Sequence, residues 1–315
     1  MVPLQRVNAT DSYIAEVSRK ITFSIADVSV TLFSDEPWVR VCAEKARESF
    51  VTAQADASIE ITAEIRNLKE VEISKDEPPR KLFDSGALWQ LYHDNSGYRF
   101  DFNSPAFGPS PYKVSYFNSD FTRGDIHLNQ NYFYSGRPVD PLEYPLDELL
   151  FLNLLAGGKG VEVHGCGVVD SSGKGSLYIG HSGAGKSTIA NLWNQEPGIK
   201  ILSDDRIILR KRGNSIFMYG TPWHGQAQFS SPEKALVNQI FFLKHGRKNA
   251  SFKKQGMDAV TRLFACSFSP FYSNSALDFT LAFHEDLVRQ VPCNELQFVP
   301  DRTTIDFLRN DMKTI

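Results

Sequence analysis

The run Gly180-His181-Ser182-Gly183-Ala184-Gly185-Lys186-Ser187-Thr188 constrains the fold of this chain more than any other stretch. It fits the pattern G-x-x-x-x-G-K-[ST], a loop whose backbone N–H groups converge on one concavity and whose following helix adds a positive N-terminus. Such a loop must leave a strand and enter a helix. Leu177-Tyr178-Ile179 supplies an apolar, strand-like approach, and Ser187-Thr188-Ile189-Ala190-Asn191-Leu192-Trp193 a helix-compatible exit. The chemistry served is the holding of a nucleoside triphosphate. All nine residues form the cradle, Lys186 reaches the outer phosphates, and the Ser187 hydroxyl ligates Mg²⁺.

Around this loop the second half of the chain alternates apolar strand runs with helical stretches, which points to a mainly parallel or mixed α/β sheet. Two strand pieces are expected at 160–164 and 166–170, followed by strands at 176–179 and 199–202. A hairpin is expected from 206–209 and 217–219 around Arg212-Gly213-Asn214-Ser215, with a further strand at 240–243. Helices near 258–267 and 276–288 precede a last strand at 295–299.

The first part reads differently. Period-two alternation at 59–65 and 98–102 suits strands with one wet face, and Asp94-Asn95-Ser96-Gly97 supplies a hairpin turn after the strand 88–92. One helix is expected over 37–50, with Pro37 in its first turn. Ser135-Gly136-Arg137-Pro138-Val139-Asp140-Pro141 is a strong breaker, and it places a domain boundary between residues 1–138 and 139–315. A leucine-rich helix then starts near Pro145, carries Asp147 and Glu148 in its first turn, and stops at Gly157-Gly158.

Composition narrows the partners. With 315 residues, 42% of them hydrophobic, the chain can bury a sizeable core. Lys and Arg number 34 against 37 Asp and Glu, a net charge of −3, so no basic field calls for nucleic acid or an anionic membrane. The opening residues lack a continuous apolar signal segment, and no run approaches the roughly 18 apolar residues that span a bilayer. The expectation is a soluble, cytoplasmic protein. Cys42, Cys166, Cys266 and Cys293 stand singly, without zinc-site spacing, and are expected to be buried free thiols.

Ser203-Asp204-Asp205 directly follows the strand 199–202. The loop strand, its helix and this strand form one βαβ unit, which brings the carboxyl ends of both strands to the same sheet edge and the aspartates beside the phosphates. Phosphoryl transfer wants one acidic group for Mg²⁺ and one to accept the proton of an attacking hydroxyl, and adjacent carboxylates divide these tasks. An acidic pair after a strand also serves simply to begin a turn.

His164-Gly165, the loop at 180–187 and Ser203-Asp204-Asp205-Arg206 together resemble the catalytic domain of HPr serine kinase/phosphorylase, a family related to ATP-type phosphoenolpyruvate carboxykinase. The resemblance covers roughly residues 160–225. It implies an α/β fold with a P-loop HPr-kinase/phosphoenolpyruvate-carboxykinase-like C-terminal domain, here behind a β-rich α+β N-terminal domain. It further implies ATP and Mg²⁺ as ligands, His164 and Lys186 near the phosphates, Asp204 as activator of an acceptor serine, and Asp205 with Ser187 at the metal. The bifunctional members carry Glu after the loop serine, where this chain has Thr188, and a downstream Arg-Gly signature that is absent here. The resemblance is therefore to the HPr-kinase-related group, which includes kinases of peptide precursors and members that assemble into homo-oligomers.

The expected activity is ATP-dependent transfer to a serine of a protein or peptide. A small-molecule kinase and an ATP-regulated binding module are the alternatives. The turn-rich segment 220–225, with Trp223 and His224, borders the acceptor or merely connects strands. Lys244, His245 and Arg247 form a basic turn that is either solvated or offers a cation to the transferred group.

Overall fold

The structure, a computed structural model, describes residues 19–34, 40–53, 60–67, 79–86, 88–108, 110–129, 132–133 and 138–311, with 60–67 described by backbone alone. The first strands are β1 (Lys20–Ile25), β2 (Val28–Ser34), β3 (Arg40–Val41), β4 (Glu60–Asn67), β5 (Arg80–Asp84) and β6 (Trp89–Asp94). They continue as β7 (Gly97–Phe102), β8 (Lys113–Phe117), β9 (Arg123–Leu128) and β10 (Pro138–Val139). Eight of them form one sheet in the order β1-β2-β4-β9-β8-β7-β6-β5, while β3 and β10 pair separately. The alternating pattern at 98–102 is β7, whose Phe100 and Phe102 point into the core while Arg99 and Asp101 pair on the opposite face.

The helix expected over 37–50 does not form in its described part, and Pro37 lies outside the described residues. Arg40–Val41 is instead a strand held parallel to Pro138–Val139, and Lys45–Phe50 is a 3₁₀ turn. Tertiary contacts override local propensity here. The fully buried Arg47 donates to the Leu142 carbonyl at 2.8 Å, pairs with Asp140 and lies 3.4 Å from Asp147, so this segment is shaped by the chain a hundred residues on.

Next comes α1 (Leu146–Ala156), begun by Pro145 with Asp147 and Glu148 in its first turn, as its sequence directs. Its Leu146, Leu150, Phe151, Leu154 and Leu155 join Phe23, Val30, Leu91 and Phe100 of the first sheet in one apolar cluster that also takes in Ile208, Tyr219 and Trp223. The core thus runs continuously across residue 138.

The remaining elements are β11 (Val161–Val169), β12 (Gly175–Ile179), α2 (Lys186–Asn194), β13 (Lys200–Ser203), β14 (Arg206–Arg212), β15 (Ser215–Tyr219) and β16 (Lys234–His245). They end with β17 (Ala250–Lys254), α3 (Gly256–Ala265), β18 (Ser267–Phe268), α4 (Asn274–Gln290), β19 (Cys293–Phe298) and α5 (Thr303–Asp311). A nine-stranded mixed sheet follows the path β12-β11-β14-β15-β16-β19-β17, with β13 and β18 also on β11. Because β12 pairs with β16 as well, β12, β11, β14, β15 and β16 close into a ring filled by Val163, Leu177, Ile207, Met218 and Ile240.

The two strand pieces expected at 160–170 are one strand. Gly165 does not break it; a Cβ there would stand 3.0 Å from Ile179 Cδ1, so the glycine lets β11 lie against β12. Both β12 and β13 run antiparallel to β11, which lies between them, and therefore share a direction and a carboxyl edge. Cys166, Cys266 and Cys293 are buried and Cys42 half-buried, all as free thiols.

The β1–β2 turn fastens the two sheets together. Ala26 and Asp27 adopt φ of 52° and 56°, the left-handed pair that a two-residue hairpin of this twist requires. Asp27 accepts from the Tyr219 hydroxyl at 2.7 Å, Lys234 Nζ at 3.0 Å and the Arg212 guanidinium at 3.2 Å, while Arg210 donates to the Ala26 carbonyl. Burial pushes the Asp27 carboxyl up, but the Tyr219 hydroxyl and Lys234 outweigh it and hold it below its ordinary value. A depressed carboxyl stabilises the fold above its unfolded pKa near 3.9 and loses that contribution as pH falls through the folded value. Replacing Asp27 by Asn is therefore expected to cost about 1 kcal/mol at pH 7, with the difference from wild type shrinking below about pH 4 in urea titrations.

Candidate active site

The loop between β12 and α2 has the geometry its glycines predict. Gly183 and Gly185 sit at φ of 80° and 102°, and a Cβ on Gly180 would stand 2.5 Å from that of Ala184, so the loop curls tightly. His181, Ser182 and Gly183 are exposed, whereas Lys186 is buried and Ser187 and Thr188 are half-buried at the start of α2. The Lys186 ammonium folds back to donate to the carbonyls of Gly180 at 2.9 Å and His181 at 3.1 Å. Burial holds it below its ordinary value, although Asp205 works in the other direction. His245 Nε2 donates to the Gly183 carbonyl at 2.9 Å, so one member of the basic turn touches the loop, while Lys244 lies 3.8 Å from Glu295.

The two aspartates occupy unlike surroundings. Asp204 is 0% exposed, and its carboxylate accepts from Ser187 Oγ at 2.9 Å and from the backbone N–H groups of Gly225, Ala227 and Phe229 at 3.0, 3.0 and 3.3 Å. Both oxygens are thus fully engaged. Asp205 is partly open: one oxygen accepts from His164 Nε2 at 2.8 Å, and the other from the Arg206 guanidinium. Burial pushes the Asp205 carboxyl up, but the His164 hydrogen bond and the Arg206 charge hold it below its ordinary value. The structure therefore joins Ser187 to Asp204 and His164 to Asp205, the reverse of the division that the resemblance implies.

β11 carries His164 into this arrangement. The His164 carbonyl accepts from Gly180 N at 3.4 Å, and Gly165 N donates to the Asp205 carbonyl at 3.0 Å, so one strand spans loop and acid. The segment 220–225 reaches the site from its other side. Trp223 is buried, donating through Nε1 to Asp147 at 2.9 Å, whereas His224 is exposed. Burial, against the opposing pull of Arg47, pushes the Asp147 carboxyl up to about 6.

Beside Asp205 opens a recess of about 320 Å³ whose walls include Glu44, Arg47, Tyr144, Arg206 and His224. Sequence reasoning missed Glu44, Arg47 and Tyr144, which no motif marks and which only the fold of the first 150 residues brings to the site. Among the described residues no group of three or more His, Cys, Asp or Glu is arranged to hold a metal, and no helix is long and apolar enough to cross a membrane.

Neither a family model nor a curated protein matches this chain. Among solved structures, the chain is similar to the Hpr(Ser) kinase/phosphatase from Coxiella burnetii at 12% identity and a TM-score of 0.28, over 48% of this chain and 98% of that one.

The hydrogen bonds of Asp204 give it a structural part. In Asp204→Asn an amide NH₂ would face backbone N–H donors, leaving at least one buried donor unpaired. The expected loss is about 2–3 kcal/mol by urea denaturation, against about 1 kcal/mol or less for Asp205→Asn, whose oxygen still accepts from His164.

Proposed function

We propose that this protein is an ATP- and Mg²⁺-dependent kinase that moves the γ-phosphoryl group to a serine hydroxyl of a protein or peptide. The observation that carries the reading is the unequal pair after β13: a saturated Asp204 bound to the loop serine, and a partly open Asp205 bound to His164 beside a recess. The two acidic tasks of phosphoryl transfer require such a division.

A hydroxyl and one carboxylate are hard oxygen donors, and Mg²⁺ takes few protein ligands because it keeps water and phosphate oxygens. Ser187 would ligate the ion through the lone pairs its hydroxyl keeps while donating to Asp204, and Asp204, its own oxygens engaged, would hold that hydroxyl in place rather than ligate directly. Bound there, the ion supplies neutralisation of the charge that develops on the transferred group. Lys186 exchanges the carbonyls of Gly180 and His181 for phosphate oxygens, and the N–H groups of residues 183–188 orient them. Asp205 takes the proton of the acceptor hydroxyl, and His164 fixes the carboxylate that does so. An open recess walled by both halves of the chain favours a side chain presented on a peptide over an enclosed metabolite.

Incubation with γ-labelled ATP, Mg²⁺ and a cell lysate tests the reading. Wild-type protein is expected to label a discrete species. Asp205→Asn should slow labelling by about 10²- to 10⁴-fold with nucleotide affinity retained, and Lys186→Ala should abolish it in a folded protein. Undiminished transfer by folded Lys186→Ala protein would sink the assignment.

A further inference from the structure

We propose that Arg206 is a positioning residue that fixes the Asp205 carboxylate toward the recess, and that Glu148 of α1 sets Arg206 in turn. The proposal rests on the kinase reading for what Asp205 does; its geometric content stands apart from that reading.

Arg206 opens β14 immediately after Asp205, and its side chain lies among three carboxyl groups and a ring. Its NH1 donates to Asp205, and its Nε donates to Glu148 at 2.7 Å and lies 3.5 Å from Glu162. Its guanidinium carbon stands 4.0 Å from the centroid of the Phe268 ring. Phe268 in turn lies opposite Glu162 in the β11–β18 pairing, so ring and acid form two walls of one slot. Burial, reinforced by Glu148, pushes the Glu162 carboxyl well above its ordinary value, and the hydrogen bond from Arg206 goes to Glu148, the anchor on this side. A planar fork on a ring and two acids has little freedom to turn, and a lysine cannot reproduce it.

The consequence falls on Asp205. One oxygen is fixed by His164 and the other by Arg206, so the plane of the carboxylate is set beside the recess that Asp205 lines. Contact with a cation weakens a base, yet phosphoryl transfer asks more for position than for basicity. Glu148 adds a longer link. It is 6% exposed on a helix whose apolar face lies in the core of the first sheet, so the register of α1 against that sheet is passed through one side chain to the proton acceptor.

The test compares wild type with Arg206→Lys, Glu148→Gln, the double variant and Phe268→Leu, which keeps all charges and guards against misfolding of the others. Turnover of ATP with the labelled acceptor, and the downfield imidazole N–H resonance assigned by its absence from His164→Gln, are both measured. Arg206→Lys and Glu148→Gln are each expected to lower kcat by about 10- to 100-fold with KM for ATP unchanged. The double variant should be no slower than the worse single one, and Phe268→Leu slower than wild type by about two- to fivefold. The imidazole resonance should be lost in Arg206→Lys. Unchanged kcat in both single variants, additive losses in the double one, or an imidazole resonance retained in Arg206→Lys would each overturn the proposal. If wild-type protein transfers no phosphate, the kinase reading falls and the resonance alone decides: lost in Arg206→Lys it upholds the positioning, retained it defeats it.

Discussion

The carboxylate of Asp204 is the point on which the site depends. A buried charge survives only when its oxygens are fully engaged, and here the partners come from two separate places: the first turn of α2 and the backbone at 225, 227 and 229 converge on the residue that follows β13. Remove that charge and the helix behind the phosphate loop, the strand edge and the return segment lose their common tie. The neighbouring aspartate is spared this duty, and its openness follows from the saturation of the first.

Much of this was legible in the sequence, for a local reason. The spacing of Gly180, Gly185 and Lys186 dictates a curled loop between strand and helix, and β12 and α2 flank it as expected. The acidic pair at a strand end was readable as well, because the shared direction of β12 and β13 follows from the chain between them, even though β11 intervenes. What Asp204 and Asp205 each bond to was not readable. Adjacent residues on an extended backbone point opposite ways, and which one faces the loop depends on where residues 225–229 return. Arg47 shows the same limit from another direction. Its surroundings at 37–50 look helical, yet its partners Asp140 and Asp147 lie in a distant stretch and impose a strand and a 3₁₀ turn. Nothing after β19 signalled α5, and the glycine at 165 resembled a breaker until its neighbour Ile179 was known.

The first sheet is more than an appendage to the loop-bearing half. Its core takes in α1, Ile208, Tyr219 and Trp223, its hairpin tip is bound by Tyr219, Lys234 and Arg212, and its 3₁₀ turn walls the recess. The first sheet, α1 and parts of β14 and β15 therefore share one packed interior, in which a side-chain change on one sheet is felt at the edge of the other.

The folded-back Lys186 ties down its own loop. Two carbonyls take up two of the three ammonium donors and the residue is 6% exposed, so the cation is turned into the loop rather than toward solvent. The resting loop is thus cross-braced by its own lysine, and whatever draws the ammonium off Gly180 and His181 takes that brace with it.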